Sequence, residues 1–221
     1  MKAMILAAGR GERMRPLTDT TPKPLLKADG KALIEYSIEN LVKAGFKDIV
    51  INIAYLGGQI RQFCGNGSRW QARIIYSDEG ESALETAGGI AYALPLLDDK
   101  PFLVINSDII CDFPLASLRD KPAHLAHLVL IDNPPHHPEG DFCLSANGLL
   151  SGQGRHNLTF SGIGVYHPAL FDRIPPGPLK LRPVLDQAML QQQVSGEKHR
   201  GLWLDIGTPE RLQEVGRICQ T

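Results

Sequence analysis

"MKAMILAAGRGERMRP" (residues 1–16) runs an unbroken apolar segment, Ala3 to Ala8, directly into a loop holding Gly9, Gly11 and three arginines. A continuous apolar run bounded by a turn is the pattern of a strand buried on both faces, as in a parallel sheet. In an open α/β sheet the loop after such a strand lies at the carboxyl edge, where ligands bind. Gly9 and Gly11 lack Cβ, so the backbone can approach a ligand and aim N–H groups at it, while Arg10, Arg13 and Arg15 add charge. That combination suits a polyphosphate. The dinucleotide fingerprint G-x-G-x-x-G fails, because Met14 stands at the third glycine and Pro16 interrupts the expected helix; the Walker pattern is absent too. The loop continues as "PLTDTTPKPLL" (16–26), where Pro22 and Pro24 are expected to hold the backbone extended around Lys23, a second phosphate contact.

Working outward, strand and helix patterns alternate. Leu33, Ile34, Ser37, Ile38, Leu41 and Val42 recur at helical spacing, with Gly45 as the C-terminal cap. "DIVINIA" (48–54) predicts a strand, Tyr55 to Phe63 a short helix and "ARIIYS" (72–77) a strand. "AGGIAYALPLL" (87–97) predicts a helix, and "FLVINSD" (102–108) a strand ending in Asp108. This alternation implies right-handed crossovers and an α/β, Rossmann-like, doubly wound and mainly parallel sheet. Beyond residue 120 the rhythm changes. "HLAHLVLID", "DFCLSANGLLSG" and "LTFSGIGVYHP" read as consecutive strands, so a small antiparallel part sits beside the main sheet. A helix carrying Leu181, Val184, Leu185, Ala188 and Met189 follows, then a short strand at "RGLWLDIG". We expect a single domain over 1–221, with halves 1–120 and 121–221.

Composition excludes several classes of function. Within 221 residues, 23 Lys+Arg oppose 24 Asp+Glu, a net charge of −1, so no overall field recruits nucleic acid or an anionic membrane. The cysteines, Cys64, Cys111, Cys143 and Cys219, are far apart with no C-x-x-C spacing, which argues against a zinc site and a disulfide framework and points to a reducing, cytoplasmic setting. The apolar run at the start is shorter than the core of a usual signal peptide, and no other stretch approaches membrane-spanning length. Oligomeric state is left open, a monomer included.

With the loop from Leu6 to Leu25 in view, the chain resembles the sugar-1-phosphate nucleotidyltransferases, whose signature reads L-A-[AG]-G-x-G-[TE]-R-[ML]-x-P-L-T…x-K-[PA]-[ML]. The resemblance recurs at "GGI" (88–90), "VINSDI" (104–109), "FSGIGVYHP" (160–168) and "GLWLDIGTPERL" (201–212). Within the family, "ETAGG" (85–89), "DNPPHHPEGDF" (132–142), "LTFSGIGVYHPALF" and "LKLRPVL" (179–185) most resemble uridylyltransferases of N-acetylmuramate α-1-phosphate, which act in cell-wall recycling. The resemblance implies the nucleotide-diphospho-sugar transferase fold, and a nucleoside triphosphate and a sugar 1-phosphate as substrates, with Mg²⁺ as cofactor. Alternatives are mannose-1-phosphate guanylyltransferase and glucose-1-phosphate thymidylyl- or uridylyltransferase. An inactive nucleotide sensor on the same scaffold is another.

By resemblance Arg15 and Lys23 are catalytic, and Leu6, Ala8, Gly9, Gly11, Arg15, Glu85 and Gly88 bind the nucleotide. Asn106, Asp141, Ser161 and Gly162 fall on the sugar side, and Asp108 and Asp205 at the metal. Taken singly, Asp108 could be a helix N-cap, Asp205 a turn-former and Gly162 a packing glycine. Glu85 replaces a glycine common in relatives and Ser107 another, so the reading of the base stays open, with Glu81 or Glu85 as an acceptor for N3–H of uracil. The E-K-P segment of many relatives is absent, and Arg155, Lys180 or Arg182 could supply its charge, or Lys23 and metal alone. His136 and His137, adjacent in a Pro-rich loop, read as solvated or as bordering the sugar pocket, with their side chains diverging. Trp203 reads as core.

Overall fold

The computed structural model describes residues 1–121, 124–152, 154 and 156–218, and side chains up to 215 at the C-terminal end; Arg155 and Cys219 therefore lie outside the described residues. The first strand, β1 (Ala3–Leu6), is followed by the arginine loop and a hairpin of β2 (Lys27–Ala28) and β3 (Lys31–Ala32). That hairpin turns at Asp29-Gly30, both at positive φ, as a two-residue hairpin turn demands. Next come α1 (Leu33–Lys43), β4 (Asp48–Ile53), α2 (Gly57–Cys64), β5 (Arg73–Asp78), α3 (Glu85–Leu97) and β6 (Phe102–Asn106). The second part holds β7 (Ile109–Cys111), β8 (Ala126–Ile131), β9 (Phe142–Leu144), β10 (Leu150–Ser151) and β11 (Asn157–Tyr166). The chain then forms α4 (Leu181–Leu190), β12 (Val194–Lys198), β13 (Trp203–Asp205) and α5 (Pro209–Ile218).

β1 pairs in parallel with β4 on one side and β6 on the other, and β4 with β5. Its residues alternate between two cores. Ala3 and Ile5 pack with Ile34, Ile38 and Leu41 of α1, whereas Met4 packs with Ile90 and Ala93 of α3 and Leu185 of α4. A strand covered by helices on both faces needs apolar side chains at every position, which is why Ala3 to Ala8 has no polar break. α1 ends in two bonds, Gly45 N–H to Val42 O at 2.9 Å and Phe46 N–H to Leu41 O at 2.9 Å, with Gly45 at φ 84°. They are the pair that closes a helix through a left-handed glycine.

The antiparallel part is built on β11. Ile163 to Tyr166 pair with β6, Asn157 and Leu158 with β9, and the opposite edge with β8. Between Phe160 and Gly164 the register against β8 shifts, and Gly162 at the shift has φ 80°. β12 adds to β8 in parallel, and β13 pairs with β7 in a separate antiparallel ladder. Five of these elements were not read from the sequence: β12, because "VSGEK" is neither apolar nor strictly alternating, the two-residue strands β2 and β3, the short β7, and α5.

Phe102, Tyr166 and Phe171 form the aromatic centre of the second core, with ring centroids 6.3, 6.2 and 6.0 Å apart. Burial pushes the Tyr166 phenol well above the usual tyrosine range. Phe102 is fully buried. Phe102→Ala should lower the unfolding free energy by about 3–5 kcal/mol, as for deletion of a buried ring. Urea unfolding measures it, and a loss under about 1 kcal/mol would detach this cluster from the cooperative core.

Candidate active site

The parallel register lines up Asn52, Leu6 and Asn106 across β4, β1 and β6 at the carboxyl edge. A cleft of about 650 Å³ opens above this row, walled by Leu6, Ala8, Gly9, Gly11, Lys23, Glu85 and Asp108 among others. Two adjoining cavities of about 370 Å³ each share Asn106 with it. One holds Glu85, Asp141, Phe142, Gly162 and Lys180. The other holds Asp108, His136, Ser161, Gly162, Trp203 and Asp205. The residues singled out in the sequence thus converge from loops distant along the chain, with two exceptions.

Arg15 is not on a cavity wall. Its side chain is half exposed and bonds Asp19 at 3.0 Å, with Glu12 at 3.5 Å. The arginines on the wall are Arg10 and Arg13. Arg10 is itself tied down, donating to Thr18 O at 2.7 Å and Asp19 at 3.0 Å with its guanidinium over the Tyr55 ring. Arg13 borders both the main cleft and the Asp205 cavity. Gly88 is the other exception. A Cβ there would lie 2.3 Å from Gly177 O, so its bareness admits the neighbouring backbone rather than a ligand, and at Gly89 the space is taken by Glu79 and Asn52. A Cβ at Gly9, by contrast, would meet nothing within 4 Å. Gly9 is the open face of the loop.

The loop folds through Gly11 at φ 69°, whose carbonyl accepts from Met14 N–H and the Thr18 hydroxyl. Lys23 does not lie in an extended segment. Leu25 N–H reaches Pro22 O and Leu26 N–H reaches Lys23 O, a tight turn that buries Pro24 and sends the Lys23 ammonium to Asp108. Asp108 itself stands two residues past the end of β6, in the turn to β7. Ile206 N–H bonds Asp108 O at 2.9 Å, so the β7–β13 ladder holds Asp108 and Asp205 side by side. Asp205 is ion-paired to Arg211 and lies 3.3 Å from His136 Nε2. Both carboxylates border one cavity and are only partly exposed, 24% and 23%, an oxygen set that could hold a hard divalent cation.

The adjacent histidines do diverge, although in a turn closed by His137 N–H to Pro134 O at 2.9 Å rather than in an extended segment, and neither is merely solvated. His136 turns to Asp205 and His137 to Asp141, with Nε2 3.1 Å from Oδ1. Asp141 also accepts from Phe160 N–H at 2.8 Å. Ser161 is turned inward, donating to Val129 O at 2.7 Å, and a Cβ at Gly162 would collide with Asn106 at 2.6 Å. Trp203 is half buried, as core packing requires, yet its indole donates to Ser161 O at 2.9 Å and it borders the cavity.

Glu79 and Asn52 escaped the sequence reading. Asn52 accepts from Ala7 N–H at 2.8 Å and donates to Glu79 at 2.7 Å, and Glu79 accepts from Leu84 N–H at 2.7 Å. Burial pushes the Glu79 carboxyl up, against these two bonds. Glu79 lines the cleft and Glu81 does not. A polar asparagine inside the apolar "DIVINIA" was the available signal. Of the cations considered for the missing segment, Arg182 is committed to Asp186, Asp141 O and Gly152 O, while Lys180 is exposed on the cavity rim.

The nucleotidyl transferase family matches residues 2–145. An N-acetylmuramate alpha-1-phosphate uridylyltransferase of Neisseria meningitidis serogroup B is 54% identical, over 99% of this chain and 98% of its own length. A mannose-1-phosphate guanylyltransferase catalytic subunit beta of Xenopus tropicalis is 33% identical over 95% of this chain, which spans 62% of that protein. A crystal structure from Bacillus anthracis, described as a glucose-1-phosphate thymidylyltransferase, superposes with a TM-score of 0.86 at 21% identity, covering 100% of this chain and 95% of the other. With its sheet, its cleft at the carboxyl edge and this match through the arginine loop, the chain belongs to the nucleotidyl transferase family.

Proposed function

We propose that the chain transfers a uridylyl group from UTP to N-acetylmuramate α-1-phosphate, forming UDP-N-acetylmuramate and pyrophosphate, with Mg²⁺ as its metal. The observation that carries this reading is the 54% identity, end to end, with the Neisseria relative of that name. A guanylyltransferase acting on mannose 1-phosphate is the second reading, favoured by the 33% relative but over only 62% of that protein's length. The halves 1–120 and 121–221 act together in either case, a view supported by the pairing of β11 with β6 along the shared cavities.

In this reading an oxygen of the sugar phosphate attacks the α-phosphorus in line and pyrophosphate leaves. The second pKa of a phosphate monoester is about 6, so the nucleophile is already ionised near neutrality and no general base is needed. The barrier is electrostatic, since two polyanions meet while charge grows on the leaving group. The loop amides around the open face of Gly9 and the Arg13 guanidinium would hold the triphosphate. Lys23 would exchange its carboxylate partner for the α-phosphate, and its partial burial, 13% exposed, strengthens that contact. Asp108 and Asp205 would hold Mg²⁺, which supplies neutralisation of the phosphate oxygens when bound. Glu79 would accept from the base edge in place of Glu81, and Glu85 would border both substrates. Asn106, Asp141, Ser161 and Gly162 would shape the sugar side.

The test is pyrophosphate release with Mg²⁺ over a grid of four nucleoside triphosphates and several sugar 1-phosphates. UTP with N-acetylmuramate α-1-phosphate should lead by about a hundredfold, roughly 2.7 kcal/mol of transition-state discrimination, and a lead by GTP with mannose 1-phosphate would replace this reading by the second. Asp108→Asn should cut turnover by about a hundredfold or more. Its thermal midpoint should stay within a few degrees of wild type, and a collapse would make Asp108 structural. Lys23→Ala should lower kcat more than it weakens triphosphate binding. Arg13→Ala should reduce kcat/KM at least tenfold more than Arg15→Ala; the reverse order would return the phosphate contact to Arg15.

A further inference from the structure

A second group of metal-ligating side chains lies outside the cleft, at the far end of the β7–β13 ladder. Ligand atoms of Cys111, Asp112 and His199 all fall within 4.8 Å of one another. None of the three borders the cleft or its adjoining cavities. Cys111 ends β7 and is buried, and Phe113 N–H, at 3.4 Å, is directed to its sulfur. His199 follows β12, anchored by its own N–H to Leu130 O at 2.7 Å, and its ring stands edge-on to Phe113 with centroids 5.3 Å apart. Its Nε2 lies 2.7 Å from Asp112 Oδ1.

The backbone is shaped to leave room for these donors. A Cβ at Gly201 would lie 2.4 Å from Asp112 Oδ1 and 2.7 Å from His199 Cε1, so glycine leaves the carboxylate and imidazole free to meet there without shifting. Asp112 N–H bonds Leu202 O at 3.1 Å, which fixes the two segments to each other. The Asp112 side chain is 57% exposed, giving an ion a way in and a place for water.

We propose that Cys111, Asp112 and His199 bind a Zn²⁺ ion, with water as the fourth ligand, forming a clip that fastens the segment after β12 to the end of β7. Thiolate with imidazole selects zinc or its mimic cobalt over magnesium. Ligand edges of a zinc tetrahedron are roughly 3.3–3.8 Å, within reach by rotation of the exposed carboxylate. One thiolate and one carboxylate balance the ion's charge. The thiol proton leaves to solvent on binding. Because the thiol must lose its proton to bind, the ion competes with that proton, and affinity weakens as pH falls. The clip has a structural target, because the same ladder carries Asp205 opposite Ile109, next to Asp108.

The experiment is titration of the chelator-treated full chain with Co²⁺ and then Zn²⁺. One equivalent of Co²⁺ should give a thiolate-to-cobalt charge-transfer band that Zn²⁺ removes, and Zn²⁺ should raise the thermal midpoint. Cys111→Ser should lose the band and the thermal shift, and His199→Gln should weaken binding at least tenfold. Asp108→Asn should keep the band, separating this site from the cleft. Wild-type protein without a thiolate band at one equivalent overturns the proposal, as does a band that survives in Cys111→Ser or an unchanged affinity in His199→Gln. The wild-type result decides the matter even where a variant fails to fold.

Discussion

Every feature of the cleft depends on the parallel pairing of β1 with β4 and β6. Parallel strands end at one edge, so Leu6 is flanked by Asn52 and Asn106 at a single level, and the loops that leave these strands must crowd together above it. The backbone thereby supplies a polar row over an apolar floor. Asn52 uses that position to fix both sides at once, taking Ala7 N–H and giving its amide to Glu79. The arginine loop is then folded by its own contacts, with Arg10, Thr18 and Asp19 closing it around Gly11.

The electrostatics of the cleft are arranged as exchangeable pairs. Lys23 holds Asp108, while Arg211 and His136 flank Asp205. In pairs this far buried the cost of desolvating the charges offsets much of their attraction, so the pairs are weak evidence for stability. In the proposed reading each would keep a ligand group oriented, to be traded for a phosphate or a cation without leaving a charge stranded.

The parallel half was legible because burial on both faces writes itself as unbroken apolar runs, "AMILAA" and "DIVINIA" among them. Elements held by a few polar bonds were not: "VSGEK" pairs with β8 through backbone and through the His127 ring, 2.9 Å from Ser195 Oγ and 3.1 Å from Glu197. The family pattern named Lys23, Asp108, Gly9 and Asn106, which border the cleft, and Asp205, which borders an adjoining cavity, since loops at one edge must converge. Arg15 and Gly88, also named by the pattern, do not border the cavities, because a pattern gives residue type and order, not which side chain an intramolecular partner has claimed. Asp19 holds Arg15, and the Gly177 backbone fills the space beside Gly88. The cysteine spacings gave no sign of the cluster at Cys111, since Asp112 and His199 are 87 positions apart and meet only through the β7–β13 ladder.

Asn106 borders all three cavities at once. A single amide therefore serves as a common post between compartments. A group seated in any one of them would lie against the same residue as a group seated in either neighbour. Were such groups to influence one another's affinity, thermodynamic reciprocity would make the influence equal in both directions.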